Sequence, residues 1–89
     1  MMKYHITMLC GGESMMLTPS EICKFDLGNV VKVMDDEILR SNKDMVEFMH
    51  EGVKLTLYTN GSIMFYHFTD LDVAYSYADE ILVTINGNR

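Results

Sequence analysis

The sequence predicts an α+β fold, a two-layer α/β sandwich in which an antiparallel sheet packs against two helices. Three observations lead there. Strand-forming residues flank Asn60-Gly61 across 53–70, the signature of a β-hairpin. Apolar residues recur at helical spacing through 71–85. Two capping patterns, at Thr18 and at Thr69, bracket a β-rich middle.

In chain order, residues 4–10 (YHITMLC) are rich in β-formers and stop at Gly11-Gly12, which predicts a first strand and a turn. Leu17-Thr18-Pro19-Ser20-Glu21-Ile22 reads as a helix start. Thr18 would cap, Glu21 would complete the box, Pro19 suits the first helical position, and Leu17 and Ile22 form a hydrophobic staple. Gly28-Asn29 would end that helix. Val30, Val31 and Val33 then predict a strand, Asp35-Asp36 a turn, and Ile38-Leu39-Arg40 a return strand. In that pairing Val31, Val33, Ile38 and Arg40 share one side, with Lys32 and Leu39 on the other. Residues 43–51 show partial helical spacing closed by Gly52, which predicts a short helical turn or an irregular connection.

The hairpin of 53–70 carries the functional expectation. A type I′ turn at Asn60-Gly61 would pair Thr59 with Ser62, placing 58 opposite 63 and 56 opposite 65. Val53, Leu55, Leu57, Met64, Tyr66 and Phe68 would then face the core. Lys54, Thr56, Tyr58, Ile63, Phe65 and His67 would form the opposite face, which is too apolar for ordinary solvation. Thr69-Asp70-Leu71-Asp72 starts the final helix, whose apolar stripe is Leu71, Ala74, Tyr75, Ala78, Ile81, Leu82 and Ile85. The stripe continues through 81–85, which favours helix there over a terminal strand. The expected order is β-α-β-β-β-β-α.

That order resembles one half of the TATA-binding-protein fold, a curved sheet backed by helices. The similar stretch is LTLYTNGSIMFYHFTDLDVAYSYADEIL: strand, Asn60-Gly61 turn, strand, long helix. Length and pattern also resemble a family of small, uncharacterised archaeal proteins. TATA-binding proteins join two repeats and present a basic, apolar concave face with paired intercalating phenylalanines. This chain has one repeat's worth of sequence and is acidic, with only Phe65 and Tyr58 able to stand for such residues. The resemblance therefore implies a fold and not a DNA-binding role.

The totals narrow the rest. Eighty-nine residues make one domain, 1–89, with a formal charge of −6 from 13 acidic and 7 basic side chains. Such a balance disfavours nonspecific binding to nucleic acid or anionic membranes, because counterion release needs clustered Lys and Arg. Nine methionines are expected to fill irregular core gaps, the alternative being an adaptable binding surface. Cys10 and Cys23, without a CxxC spacing, read as buried thiols in a reducing compartment, and the chain as cytoplasmic. His5, His50 and His67 lack metal-ligand spacing, and Asp35-Asp36-Glu37 reads as a solvated turn. Gly11-Gly12-Glu13-Ser14 lacks the pattern of a phosphate loop. No cofactor motif and no catalytic set is identifiable.

The expectation is a non-enzymatic binding module that offers its open sheet face to a protein partner or to a second copy of itself. Tyr58, Ile63 and Phe65 would be buried on binding, with Lys54 and His67 at the rim. Nucleic acid on the same face is the alternative, with Lys32, Arg40 and Lys54 contributing charge. Phe65→Ser would then abolish binding without unfolding.

Overall fold

Residues 4–19, expected to hold a strand and a helix start, instead form two paired strands. The computed structural model describes residues 3–21, 24–34 and 36–86. β1 (Tyr4–Leu9) turns through Cys10–Gly12, with Gly11 and Gly12 at φ 68° and 92°, into β2 (Ser14–Pro19). The capping box at Thr18 is a purely local pattern, and tertiary pairing overrides it. Along β2, Met15, Leu17 and Pro19 are buried and alternate with half-buried Met16 and Thr18, the period of a strand. Pro19 ends the strand beyond the last β2–β6 pair, Leu17 with Ile63, so its missing N–H leaves no ladder bond unmade. The expected helical residues Ile22 and Cys23 lie outside the described residues.

α1 (Leu27–Val33) occupies the segment whose valines predicted a strand. Asp26 caps it, its carboxylate accepting from the Gly28 N–H at 3.0 Å. Leu27 and Val30 are buried and Val31 and Met34 half-buried, a spacing of i, i+3, i+4, i+7. Gly28-Asn29, expected to stop a helix, sits in the first turn of this one. The valines' strand preference is a few tenths of a kcal/mol each, and burying one helix face outweighs it.

The remaining strands are β3 (Glu37–Ser41), β4 (Met45–His50), β5 (Val53–Tyr58) and β6 (Ile63–Phe65), followed by α2 (Leu71–Asn86). β4 replaces the expected irregular connection. Its burial alternates incompletely because Glu47 is buried on the face away from the helices, between half-buried Met45 and Met49, and His50 is only half-buried. The observed order is thus β-β-α-β-β-β-β-α. All pairings are antiparallel, and the six strands lie in the order β1-β2-β6-β5-β4-β3.

The type I′ turn expected at Asn60-Gly61 occurs instead between β4 and β5. Between β4 and β5, His50 pairs with Val53 across a two-residue loop, with Glu51 and Gly52 at φ 51° and 79°. That is the type I′ geometry. Between β5 and β6 only Gly61 is left-handed, at φ 88°. The Gly61 N–H donates to the Tyr58 carbonyl at 3.0 Å and the Tyr58 N–H to the Ser62 carbonyl at 2.9 Å, closing a three-residue loop. The Asn60 side chain accepts from the Ser62 N–H at 2.9 Å.

One more loop residue moves the register by one. Leu57 pairs with Ile63, Thr56 with Met64 and Leu55 with Phe65. Every side chain of β6 therefore changes face. Ile63 and Phe65, expected on the open face, are fully buried in the core, while Met64 and Tyr66 take their places outside. The assignment of Val53, Leu55 and Leu57 to one face and Lys54, Thr56 and Tyr58 to the other holds.

The core lies between one sheet face and both helices. It contains Met15, Leu17, Val46, Phe48, Leu55, Leu57, Ile63 and Phe65 from the sheet, Leu27 and Val30 from α1, and Ala74, Ala78 and Ile81 from α2. The α2 helix runs through 81–85 as its stripe predicts. Its start is capped one residue later than expected, by the Asp70 carboxylate accepting from the Val73 N–H at 3.2 Å. Phe68 folds back onto the core, its ring 5.9 Å from Phe65 and 6.1 Å from Tyr77.

Candidate partner-binding face

The sheet face opposite the helices is built by strict alternation. With Val46, Phe48, Leu55 and Leu57 committed to the core, Met45, Glu47, Met49, Lys54, Thr56 and Tyr58 must point the other way. Pairing extends this face to Met64 and Tyr66 beyond β5 and to Met16 and Thr18 on β2. Among the described residues no helix covers it.

At its centre sit two polar residues that the sheet itself buries. Thr56 is fully buried between Glu47 and Met64 on the neighbouring strands, and Glu47 is 7% exposed. Thr56 Oγ1 donates to the Tyr66 hydroxyl at 3.1 Å. Lys54 Nζ stands 4.9 Å from the centre of the Tyr66 ring, a cation–π contact, and 3.6 Å from Glu47. Arg40 reaches the other oxygen of Glu47 at 3.6 Å. The Tyr58 hydroxyl titrates above its usual value of 10.0, first because burial disfavours the phenolate, then because Tyr66 and the Glu47 carboxylate face it.

Around this hub lie the half-buried methionines 16, 45, 49 and 64. Of the methionines whose surroundings are described, Met15 alone is fully buried. Four of the seven described methionines thus stand half-buried on the open face, not in the core where they were expected. A groove of about 650 Å³ opens at one end of the face, lined in part by Met49, Lys54, Met64 and Tyr66.

Of the residues expected on the face, Lys54 and Tyr58 are there, at opposite ends of β5 and each acting on or acted on by Glu47 between them. Ile63 and Phe65 are not. His67 is exposed in the turn after β6 at φ 52°, where its N–H donates to Ser14 Oγ at 3.1 Å. Met64, Tyr66 and Glu47 were missed. The first two follow from the register alone, and Glu47 belongs to a strand that the sequence pattern disguised.

Two other residues singled out in the sequence, Asp36 and His50, meet near the end of β4. Asp36, read as part of a solvated turn, accepts a hydrogen bond from His50 Nδ1 at 2.9 Å, while Glu80 lies 3.2 Å from His50 Nε2. The ring also meets Tyr77 edge-on at 4.8 Å, so His50 ties the end of β4 to α2. Cys23, Asp35 and the side chain of Cys10 lie outside the described residues. Among the described residues no group of three or more His, Cys, Asp or Glu side chains could hold a metal ion, and no helix is long and apolar enough to cross a membrane. No family model, curated protein or solved structure matches this chain.

Proposed function

We propose that the chain is a small binding module that engages a protein partner through the open sheet face. The observation that carries this reading is the composition of that face: methionines 16, 45, 49 and 64 with Tyr58 and Tyr66, grouped about one neutralised carboxylate. A merely solvated sheet face would alternate to polar side chains. Flexible thioethers and amphipathic rings instead suit an apolar contact that adapts to its partner. Catalysis is not part of the proposal, and cytoplasmic residence remains in it as a consequence of two sparse cysteines.

The resemblance to half a TATA-binding repeat enters at the level of an open antiparallel sheet backed by helices, as in a two-layer sandwich. The chemistry of the face argues against carrying it to nucleic acid. Lys54 and Arg40 both contact the single carboxylate of Glu47, which leaves the three groups a net charge of one and not the cation cluster that phosphate binding needs.

The test compares the wild type with Met64→Lys, immobilised and exposed to lysate of the source cells. A partner retained by the wild type should be lost by Met64→Lys, with affinity lowered about tenfold or more, roughly 1.4 kcal/mol. Val83→Lys, on an exposed helix position, should retain it. An amide titration with short oligonucleotides at low and moderate salt separates the alternative. Salt-sensitive shifts confined to the open face would replace the protein partner with nucleic acid.

A further inference from the structure

The two edges of the sheet are not alike. β3, at one edge, is guarded by a register shift between Ile38 and Arg40 and by the charges of Glu37 and Arg40. β1, at the other, has none of these devices. It runs six residues, YHITML, without bulge, proline, lysine or acid, and carries exposed Ile6 (39%) and Met8 (52%). An edge of that kind is a template for another strand.

The hydrogen-bonding phase of β1 shows which groups it offers. The Ser20 N–H donates to the Lys3 carbonyl at 2.8 Å, so Lys3 points its backbone toward β2. Alternation then turns His5 and Thr7 inward to β2, and turns Ile6 and Met8 outward. The outward N–H and carbonyl groups thus include those of the two residues whose apolar side chains are exposed on the helix side of the sheet.

We infer that β1 pairs antiparallel with β1 of a second copy, setting Ile6 of each against the partner's Met8 and continuing the sheet across a two-fold axis. The occupant is a second copy because the strand complements itself. Ile6 and Met8 meet Met8 and Ile6 on one face, and directly opposed antiparallel residues share a face. Charge agrees with the direction. Lys3 flanks one end of β1 and Glu13 the turn at the other, and neither makes an ion pair among the described residues. Antiparallel pairing brings each Lys3 end beside the partner's Glu13 end, whereas parallel pairing would set like charges together. Both open faces then lie on the same side, joined into one surface of twice the width. The dimer does not depend on what that surface binds.

Sedimentation equilibrium of the full chain tests it. The wild type should show twice the 10.2 kDa chain mass at micromolar concentration. Ile6→Pro removes an outward N–H that β2 does not use and should give monomer; Leu39→Pro, at the bulge of the guarded edge, should remain dimeric. Should Ile6→Pro fail to fold, Met8→Lys supplies the monomer, checked for a native circular dichroism spectrum. Amide exchange at Ile6 and Met8 should slow with rising concentration. A wild type that stays monomeric across the concentration range, or a folded Met8→Lys that stays dimeric, would overturn the inference.

Discussion

At the residue scale, Tyr58 reports on the open face most directly. Its phenol is held neutral by burial and by the neighbouring Tyr66 and Glu47. The unfolded chain therefore releases this proton at lower pH than the folded one. Between the ordinary value of 10.0 and the raised one, the native state binds more protons, so stability falls as pH rises. Tyr58→Phe should flatten the decline of the urea midpoint above about pH 10. Glu47→Gln removes one cause of the shift and should move Tyr58 ionisation, read by tyrosinate absorbance against Tyr58→Phe, to lower pH. An unchanged titration in Glu47→Gln would separate the carboxylate from the phenol. The Lys54–Glu47 and Arg40–Glu47 contacts are half-exposed on the cationic side, and each contributes about 0–1 kcal/mol. Their importance lies in offsetting the buried Glu47 carboxylate at the centre of the face.

At the scale of elements, the hairpin of β5 and β6 shows how much one loop residue decides. Asn-Gly is the strongest short-range signal for a type I′ turn, and here it serves a three-residue loop in which only the glycine is left-handed. The register consequence moves Ile63 and Phe65 inward and Met64 and Tyr66 outward. Gly61→Ala and Gly52→Ala should each cost about 1–2 kcal/mol, since both demand positive φ. Thermal midpoints check this, and a neutral Gly61→Ala would mean that the loop adopts another geometry. The β2 segment makes the same point differently. Thr18-Pro19-Ser20-Glu21 satisfies every local rule for a helix start, yet Met15 and Leu17 can reach the core only in a strand paired on both sides. Local capping is worth about 1 kcal/mol, and burying Met15 and Leu17 about 1.5–3 each.

At the scale of the whole molecule, the two helices leave one sheet face to the solvent and gather the core on the other. Phe65 stands near the middle of that core, against Phe68 and opposite Leu55 and Met15. The expected outcome of Phe65→Ser is therefore reversed: it should unfold the protein, costing upward of about 3–5 kcal/mol. Chemical denaturation decides between the two, and a stable Phe65→Ser would return that side chain to the surface. A chain of this size buries only about 60% of its unfolded surface, so such a loss approaches its whole stability.

The sequence by itself determined what is local or strongly periodic. The α2 helix, the β5 strand and its facing, the first strand, and the α+β class were all legible because one repeated pattern sets each of them. Lys54 and Tyr58 were placed on the open face for the same reason. Tertiary structure decided the rest: that β2 and β4 are strands, that the valines of α1 lie in a helix, and that β6 turns Met64 and Tyr66 outward. In each case the local preference is worth about 1 kcal/mol or less. Burial against neighbours distant in sequence is worth more. The face that carries the proposed function stands where those long-range terms prevail, so its central carboxylate and most of its methionines come into view only once the strands are paired.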